Sequence, residues 1–360
     1  MFVFAITQVA TLLYRDLTWA GFARAMLVLA LIWWAWSAFV WGSNAQDEDA
    51  AVLRGVLLLA TMFILITGLA LPQAFTTEGT LFAVSYSAVR LLHLVLYADA
   101  SRRGNAAWSA IAGFAVTVVL GMALLIVGSL LHGTARELLW LIAVAIDYAG
   151  PAGLTRNRLR GLQRVAVAHF AERYGLFVII CLGESIVTIG VGARGRALDA
   201  ALVGAVALGL LITVGLWWTY FDRAAAQAER GLAEHPDPVL AAADGYSYIH
   251  LLIVAGIIVF VVGVNVVVHA PSEPPGAGGR LALCGGVAVY LLAHAAFILR
   301  VVGARSFVKL AVAAALLVLY AVGGGLSGWE ISALTAALLT ALCIAEFRSD
   351  LAGKHGPSGA

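Results

Sequence analysis

Charged side chains are scarce in this sequence. Only 12% of its 360 residues are Asp, Glu, Lys or Arg, and 62% are hydrophobic. Soluble domains carry about 25% charged residues. Apolar side chains in this proportion cannot be hidden inside one water-exposed globule, so the bilayer must be the solvent. The composition therefore predicts an all-α, polytopic integral membrane protein whose surroundings are membrane lipid. A net charge of +2 gives no indication of a nucleic-acid partner.

Cysteine and recognisable catalytic motifs are equally sparse. The three cysteines, Cys181, Cys284 and Cys343, lie singly in apolar stretches, so neither a disulfide framework nor a zinc site is indicated. The sequence contains no Walker loop and no Rossmann fingerprint. We therefore expect no metal and no cofactor, and the chain is not predicted to be an enzyme.

Long apolar runs, separated by short polar segments, fill the rest of the chain. They predict about twelve transmembrane helices, the last of them over Ile331–Phe347, with a loop between Phe221 and Ser247. The opening run, Met1–Tyr14, is shorter than the roughly 20 residues that a span needs. We interpret it as a first helix that is truncated at its N-terminus, with the true start upstream.

The runs also suggest two similar halves. We predict a first six-helix half over residues 1–149, a basic cytoplasmic linker over 150–169, a second six-helix half over 170–347 and a cytoplasmic tail over 348–360. The tryptophan pairs Trp33-Trp34 and Trp217-Trp218 fall on the second helix of each half. An even number of helices per half makes the repeats parallel, as in some transporters, and the pairs are interpreted as parts of an aromatic belt.

Lysine and arginine are concentrated in the loops that follow even-numbered helices. The most basic loop is the linker, which carries Arg156, Arg158, Arg160 and Arg164. Because positive loops stay in the cytoplasm, both termini are predicted to be cytoplasmic. The oligomeric state cannot be predicted from these features.

Ionisable residues inside apolar helices are costly and are functional candidates by default. Glu184, Arg90 and Asp147 occupy such positions. Tyr86, Arg90, His93 and Tyr97 recur at three- and four-residue spacing, which predicts one polar stripe turned away from lipid. Arg90 needs an anionic partner, for which Glu184 and Asp147 both remain open. The resulting buried polar site, Glu184 with Arg90, His93 and Asp147, either serves transport or proton relay or only locks helices together.

Other polar and small residues carry weaker signals. His250, Asn265 and His294 are secondary candidates, each more typical of an interhelical hydrogen-bonding group. The glycine pairs Gly121/Gly128, Gly183/Gly190 and Gly256/Gly263 predict seams where a second helix approaches closely.

The stretch from His169 to Val187, HFAERYGLFVIICLGESIV, resembles the signature of the bacterial low temperature requirement A (LtrA) family. The matching motif positions are His169, Glu172, Arg173, Gly175, Gly183 and Glu184. The family's acidic-Leu-Phe-Phe-Asp element is absent from the first helix, which agrees with a truncated start. The first helix also shows a fainter similarity to the first helix of a six-plus-six potassium channel family. The Ser-Asp element of that family is missing from this sequence.

The resemblance implies a multi-pass bacterial membrane protein linked to growth in the cold, with no catalytic residues to carry over. The leading hypothesis is a secondary-transporter-like or ion-conducting protein that acts on a small ion or small-molecule substrate. The alternative is a non-transporting membrane protein that supports envelope function or cold adaptation through lipid or protein contacts.

Overall fold

The computed structural model describes residues 2–44, 51–104, 108–151, 167–222 and 224–354. Over these ranges the chain is all-helical, as predicted. The helices are α1 (Val3–Arg15), α2 (Trp19–Asn44), α3 (Ala51–Ala70), α4 (Gly79–Arg102), α5 (Trp108–Ser129), α6 (Thr134–Ala149), α7 (Val167–Ala193), α8 (Ala200–Phe221), α9 (Ala224–Glu234), α10 (Pro238–Ala242), α11 (His250–His269), α12 (Gly276–Val302), α13 (Phe307–Val322) and α14 (Gly328–Lys354). The predicted linker lies mostly in residues 152–166, outside the described ranges.

Twelve of these helices match the predicted ones, and α9 and α10 occupy the stretch that was predicted to be a loop. In α9, the buried Ala224, Ala228 and Leu232 recur every four residues and form one narrow apolar face. This helix is too polar to appear as a long apolar run. A wide π-helical turn, Ala243–Ile249, then leads into α11.

Nine helical segments within the described ranges are long and apolar enough to cross a membrane. α1 has 13 residues, and α6 and α13 have 16 each. These three are shorter than the roughly 20 residues that span a bilayer. In contrast, α14 is longer than predicted and continues past Phe347 to Lys354, and the next proline in the sequence is Pro357.

The first compact unit consists of Met1–Arg173 together with Ala233–Ser247. Its helices pack as neighbours in pairs, α1 with α2, α3 with α4 and α5 with α6, and α2 also contacts α4 and α6. The segment that contains α10 belongs to this unit, where Val239, Leu240 and Ala243 join a core cluster with Tyr97 and Phe114.

Trp33 and Trp34 do not form an aromatic belt, so that interpretation is wrong. Both side chains are buried inside the first unit. The indole N–H of Trp33 donates to the carbonyl of Ser247 at 2.7 Å, and that of Trp41 donates to the Ser247 hydroxyl at 2.8 Å. A protein hydrogen bond, rather than the lipid interface, therefore satisfies the polar end of Trp33.

The second compact unit consists of Tyr174–Leu232 and Tyr248–Ala360. Here α11 lies so close to α12 that a Cβ built on Gly263 would come within 2.3 Å of the Leu283 nitrogen. The Gly256/Gly263 seam is thus confirmed, and Gly121 and Gly128 similarly face α6. The seam predicted at Gly183 and Gly190 is wrong, because no atom of the described chain lies within 4 Å of a Cβ built at either glycine. The six-plus-six parallel repeat and the half boundaries at 149 and 169 stay predictions.

Candidate functional site

Arg90 on α4 and Asp147 on α6 form an ion pair that is almost completely buried in the first unit. Arg90 Nη2 donates to Asp147 Oδ1 at 2.9 Å, and Oδ2 lies at the same distance. The side chains retain only 2% and 9% of their exposure. Of the two anionic partners that the sequence left open for Arg90, the structure therefore has Asp147.

Helix α2 closes one side of this pair. Its Trp34 carbonyl accepts a longer hydrogen bond, 3.4 Å, from Arg90 Nη1, and the Trp34 side chain bonds Asp147. The Trp34 ring stacks on Tyr148 at a centroid distance of 4.1 Å. Arg90 Nε has no hydrogen-bond partner in the described residues. One N–H donor of this buried guanidinium therefore has no acceptor among the described residues.

The position of Asp147 makes the arginine necessary. Asp147 lies in the last turn of α6, which ends at Ala149. A carboxylate at a helix C-terminus is opposed by the helix dipole, and burial opposes its charge further. Because Arg90 supplies a positive charge at hydrogen-bond distance, it offsets both effects. Losing either partner would leave one uncompensated charge in the core.

His93 lies one turn beyond Arg90 on α4 and is buried in an aromatic surround. Its ring centroid is 6.3 Å from that of Phe39, 5.0 Å from Tyr97 and 5.8 Å from Phe114. No side chain in the described ranges bonds its Nδ1 atom. The imidazole of His93 is thus a titratable group one helical turn from Arg90, of the kind that takes part in proton transfer.

The predicted polar stripe on α4 is confirmed as an inward-facing one. All four of its members, Tyr86, Arg90, His93 and Tyr97, are buried. The Tyr86 hydroxyl donates to the Leu31 carbonyl at 3.1 Å. The structure thus brings Arg90, His93 and Asp147 together within the first unit.

Glu184 belongs to the second unit, in the middle of α7, and is half-buried. Its Oε1 accepts a hydrogen bond of 3.4 Å from the Thr188 hydroxyl, one turn along the same helix. The next residue, Ser185, is buried and lies 2.9 Å from the Thr213 hydroxyl on α8. The half-buried carboxylate of Glu184 therefore directly precedes a buried pair of hydroxyl groups, those of Ser185 and Thr213.

The other positions of the family motif also lie on α7. His169 and Glu172 are exposed, with 3.7 Å between His169 Nδ1 and Glu172 Oε2. Arg173 donates to the Ser43 hydroxyl within the first unit. A Cβ on Gly175 would lie 3.4 Å from the ring of Phe221. Gly183 is unhindered, as described above.

The secondary candidates lie in the second unit. His250 is fully buried, and its Nε2 is 2.7 Å from the Tyr220 hydroxyl. His294 is also fully buried and stacks on Tyr290, but neither of its ring nitrogens has a hydrogen-bond partner in the described chain. Asn265 is half-buried, and the structure gives its Oδ1 no partner there either.

Lys309 and Glu346 form an ion pair that the sequence reasoning missed. Lys309 lies in the first turn of α13 and is almost fully buried, and its ammonium donates to Glu346 on α14. The signal was a lone lysine followed at once by a purely apolar helix, Leu310–Val322. Such a lysine near a helix end is ordinarily interpreted as a snorkelling side chain.

Metal binding finds no support in the described ranges, where no three His, Cys, Asp or Glu side chains lie together as a possible ligand set. Two ion pairs with buried members lie in these ranges, Arg90–Asp147 in the first unit and Lys309–Glu346 in the second.

Nine apolar spans with ionisable groups buried between them define a multi-pass α-helical membrane protein. Residues 1–344 match the model of the family described as bacterial low temperature requirement A protein (LtrA), and the chain belongs to that family. An uncharacterised protein of Rhizobium meliloti (strain 1021) is 31% identical over 298 residues, which is 81% of this chain and 73% of that protein. No solved structure matches.

Proposed function

We propose that this LtrA-family chain is a secondary-transporter-like or ion-conducting protein of the bacterial inner membrane. The observation that carries the proposal is the buried Arg90–Asp147 pair with His93 beside it. Ionisable groups inside a helix bundle are expensive, and those that line ion or proton pathways are paired with one another in this way.

The chemistry we propose is exchange of a proton or small ion at Asp147. When a cation or proton neutralises the Asp147 carboxylate, Arg90 loses its partner and its charge becomes available to the surroundings. His93, which keeps a ring nitrogen free of side-chain bonds, is the proposed proton acceptor. Glu184 is a second acidic position on α7, half-buried, with the Thr188 hydroxyl 3.4 Å from its Oε1.

The proposal also includes the finer topology. We propose that α1, α6 and α13 complete twelve spans as short crossings where the bilayer is locally thinned, with both termini in the cytoplasm. Positive loops after even-numbered helices support this orientation. The proposed activity is not enzymatic; the two buried carboxylate–cation pairs, Arg90–Asp147 and Lys309–Glu346, support an electrostatic role for these groups.

Ion and proton flux in proteoliposomes tests the proposal. The variants are Asp147→Asn, His93→Phe and Glu184→Gln, and the matched control is Glu229→Gln at an exposed position on α9. His93→Phe keeps the ion pair and places a ring of similar size among aromatic side chains, so it should fold even if Asp147→Asn does not. We expect wild-type flux to survive in the control and to be lost in His93→Phe, with an unchanged melting temperature.

A wild-type chain without flux under any tested ion or proton gradient would refute this function. The alternative, a non-transporting protein that supports the envelope or cold adaptation, would then stand. One observation favours that alternative: Asp147 already neutralises Arg90, as expected of a pair that only locks α4 to α6.

A further inference from the structure

A pocket of about 180 Å³ lies in the second unit, where the connection from α12 to α13 passes the end of α8. Part of its wall is apolar, from Trp218, Ile298 and Ala304. The rest carries four charged side chains, Asp222, Arg305, Lys309 and Glu346. None of these groups belongs to the site proposed above for transport.

The two cations and the two carboxylates of the pocket come from different parts of the chain. Both cations come from the segment around the start of α13, where Arg305 precedes the helix and Lys309 lies in its first turn. Both carboxylates come from other helices, Asp222 directly after α8 and Glu346 within α14. The formal charges of the four sum to zero, and Lys309 and Glu346 are already in contact.

This arrangement selects a ligand that carries both signs of charge. A lone anion would be attracted by Arg305 and Lys309 but repelled by Asp222 and Glu346, and a lone cation would meet the reverse pattern. A zwitterion can place its anionic group at the cations and its ammonium at the carboxylates. Trp218 also lines the pocket, and indole rings attract ammonium groups.

The size of the pocket limits the ligand further. Pockets for drug-sized ligands are larger, at about 300–1,000 Å³. The ligand must therefore be a small molecule, or the headgroup of a larger one, with its two charges a few bonds apart.

We propose that this pocket binds a small zwitterion in which a primary ammonium and a carboxylate or phosphate lie a few bonds apart. Free amino acids and the phosphoethanolamine headgroup of a lipid share this chemistry. On binding, the ligand separates Lys309 from Glu346 and gives each a new partner, so no charge is left uncompensated. The proposal does not depend on transport.

Calorimetric titration of the purified full-length chain tests the charge requirement. The probes are O-phosphoethanolamine and glycine, compared with the single-charge fragments ethanolamine, inorganic phosphate and acetate. We expect at least one zwitterion to bind at least tenfold more tightly than every fragment. Binding of phosphate or ethanolamine as tight as that of both zwitterions would overturn the proposal, as would binding of neither zwitterion.

Two exposed positions allow the site to be altered without breaking the buried pair. Arg305→Gln and Asp222→Asn should each weaken zwitterion binding at least tenfold, while the melting temperature without ligand stays unchanged. The control is Arg194→Gln, at an exposed arginine of the same unit that does not line the pocket. Equal affinity in Arg305→Gln and in the control would place binding elsewhere and refute the site.

Lipid retention distinguishes the two sources of the ligand. The chain is reconstituted in vesicles of phosphatidylglycerol mixed with either phosphatidylethanolamine or phosphatidylcholine, extracted, and analysed by native mass spectrometry. Phosphatidylcholine is the matched control because its quaternary ammonium cannot donate a hydrogen bond to Asp222 or Glu346. Retention of phosphatidylethanolamine alone, reduced by Arg305→Gln, assigns the pocket to a lipid headgroup. No retention, together with tight binding of glycine, assigns it to a soluble amino acid.

Discussion

The guanidinium of Arg136 lies directly against the backbone of Gly79, so that a Cβ built on Gly79 would come within 2.6 Å of Arg136 Nη1. This contact joins the start of α6 to the start of α4. The guanidinium is almost fully buried and donates to four backbone carbonyls. The acceptors are Ala74 at 2.9 Å, Thr76 at 3.0 Å, Ser129 at 3.1 Å and Leu131 at 2.9 Å.

Replacing Arg136 with lysine should destabilise the first unit. A lysine ammonium is a single point donor and cannot reach carbonyls that surround a planar fork. Since hydrogen bonds to charged groups are worth about 1.5–3 kcal/mol each, we expect the free energy of unfolding to fall by about 2 kcal/mol or more. The measurement is denaturant unfolding in detergent. Arg194→Lys, at an exposed arginine, should change little, and an equal effect at both positions would contradict the prediction.

Gly263→Ala should separate α11 from α12. The added Cβ would lie 2.3 Å from the backbone nitrogen of Leu283, and a backbone atom cannot move aside as the end of a side chain can. We expect a loss of at least about 2 kcal/mol, as for other overpacked positions. Gly190→Ala is the matched control, because its Cβ meets no described atom within 4 Å and alanine favours the helix by roughly 1 kcal/mol. If both variants melted at the same temperature, the close approach of the two helices would be wrong.

A double-mutant cycle on Arg90 and Asp147 should give a large coupling energy. Arg90→Met or Asp147→Leu alone leaves an unpaired buried charge, which costs about 3–5 kcal/mol. The double variant should be more stable than either single one, because it leaves no buried charge. The exposed pair Arg103–Asp99, also at 2.9 Å, is the control, with an expected coupling below about 1 kcal/mol. Additive effects at the buried pair would contradict the geometry.

Asp16, in the connection from α1 to α2, should titrate at an unusually low pH. The Thr18 hydroxyl donates to its carboxylate at 2.6 Å and holds the pKa of Asp16 below its ordinary value, with a smaller contribution from the charge of Arg24. Because the folded pKa is the lower one, this stabilisation is present above the ordinary pKa and is lost as the pH falls through the lowered value.

Thr18→Val should therefore raise the pKa of Asp16 in an NMR titration and reduce the dependence of stability on pH in the acid range. The unrelated Thr61, whose hydroxyl bonds only a carbonyl of its own helix, provides the control variant Thr61→Val. An unchanged Asp16 titration in Thr18→Val would show that the hydroxyl does not set this pKa.

Much of the fold could be predicted from the sequence because each apolar run carries its own signal. The burial of the stripe with Tyr86, Arg90 and His93 followed from spacing on one helix alone. In contrast, the partner of Arg90 depends on which faces of different helices meet. Glu184 and Asp147 could each supply the negative charge that Arg90 needs. The spacing of residues within one helix does not show which of the two lies next to Arg90.

The wrong or missing predictions mostly concern contacts between residues that are far apart in the sequence. Trp33 was assigned to the lipid interface because its position along α2 is compatible with a belt, but its indole N–H bonds Ser247, which is 214 residues away in the chain. Lys309 and Glu346 are 37 residues apart and on different helices. Helix α9 was missed because its apolar face consists mainly of alanines, which is weak beside the long runs that flank it.

The return of Ala233–Ser247 to the first unit has a consequence for biogenesis. The ribosome makes this segment only after α7, α8 and most of α9, so the last piece of the first unit emerges after the first of the two segments of the second unit. Until then the indole groups of Trp33 and Trp41 have no Ser247 to bind. A nascent chain that stops at Arg173 is therefore an incomplete folding unit, and we expect it to be cleaved by proteases more readily than the finished protein.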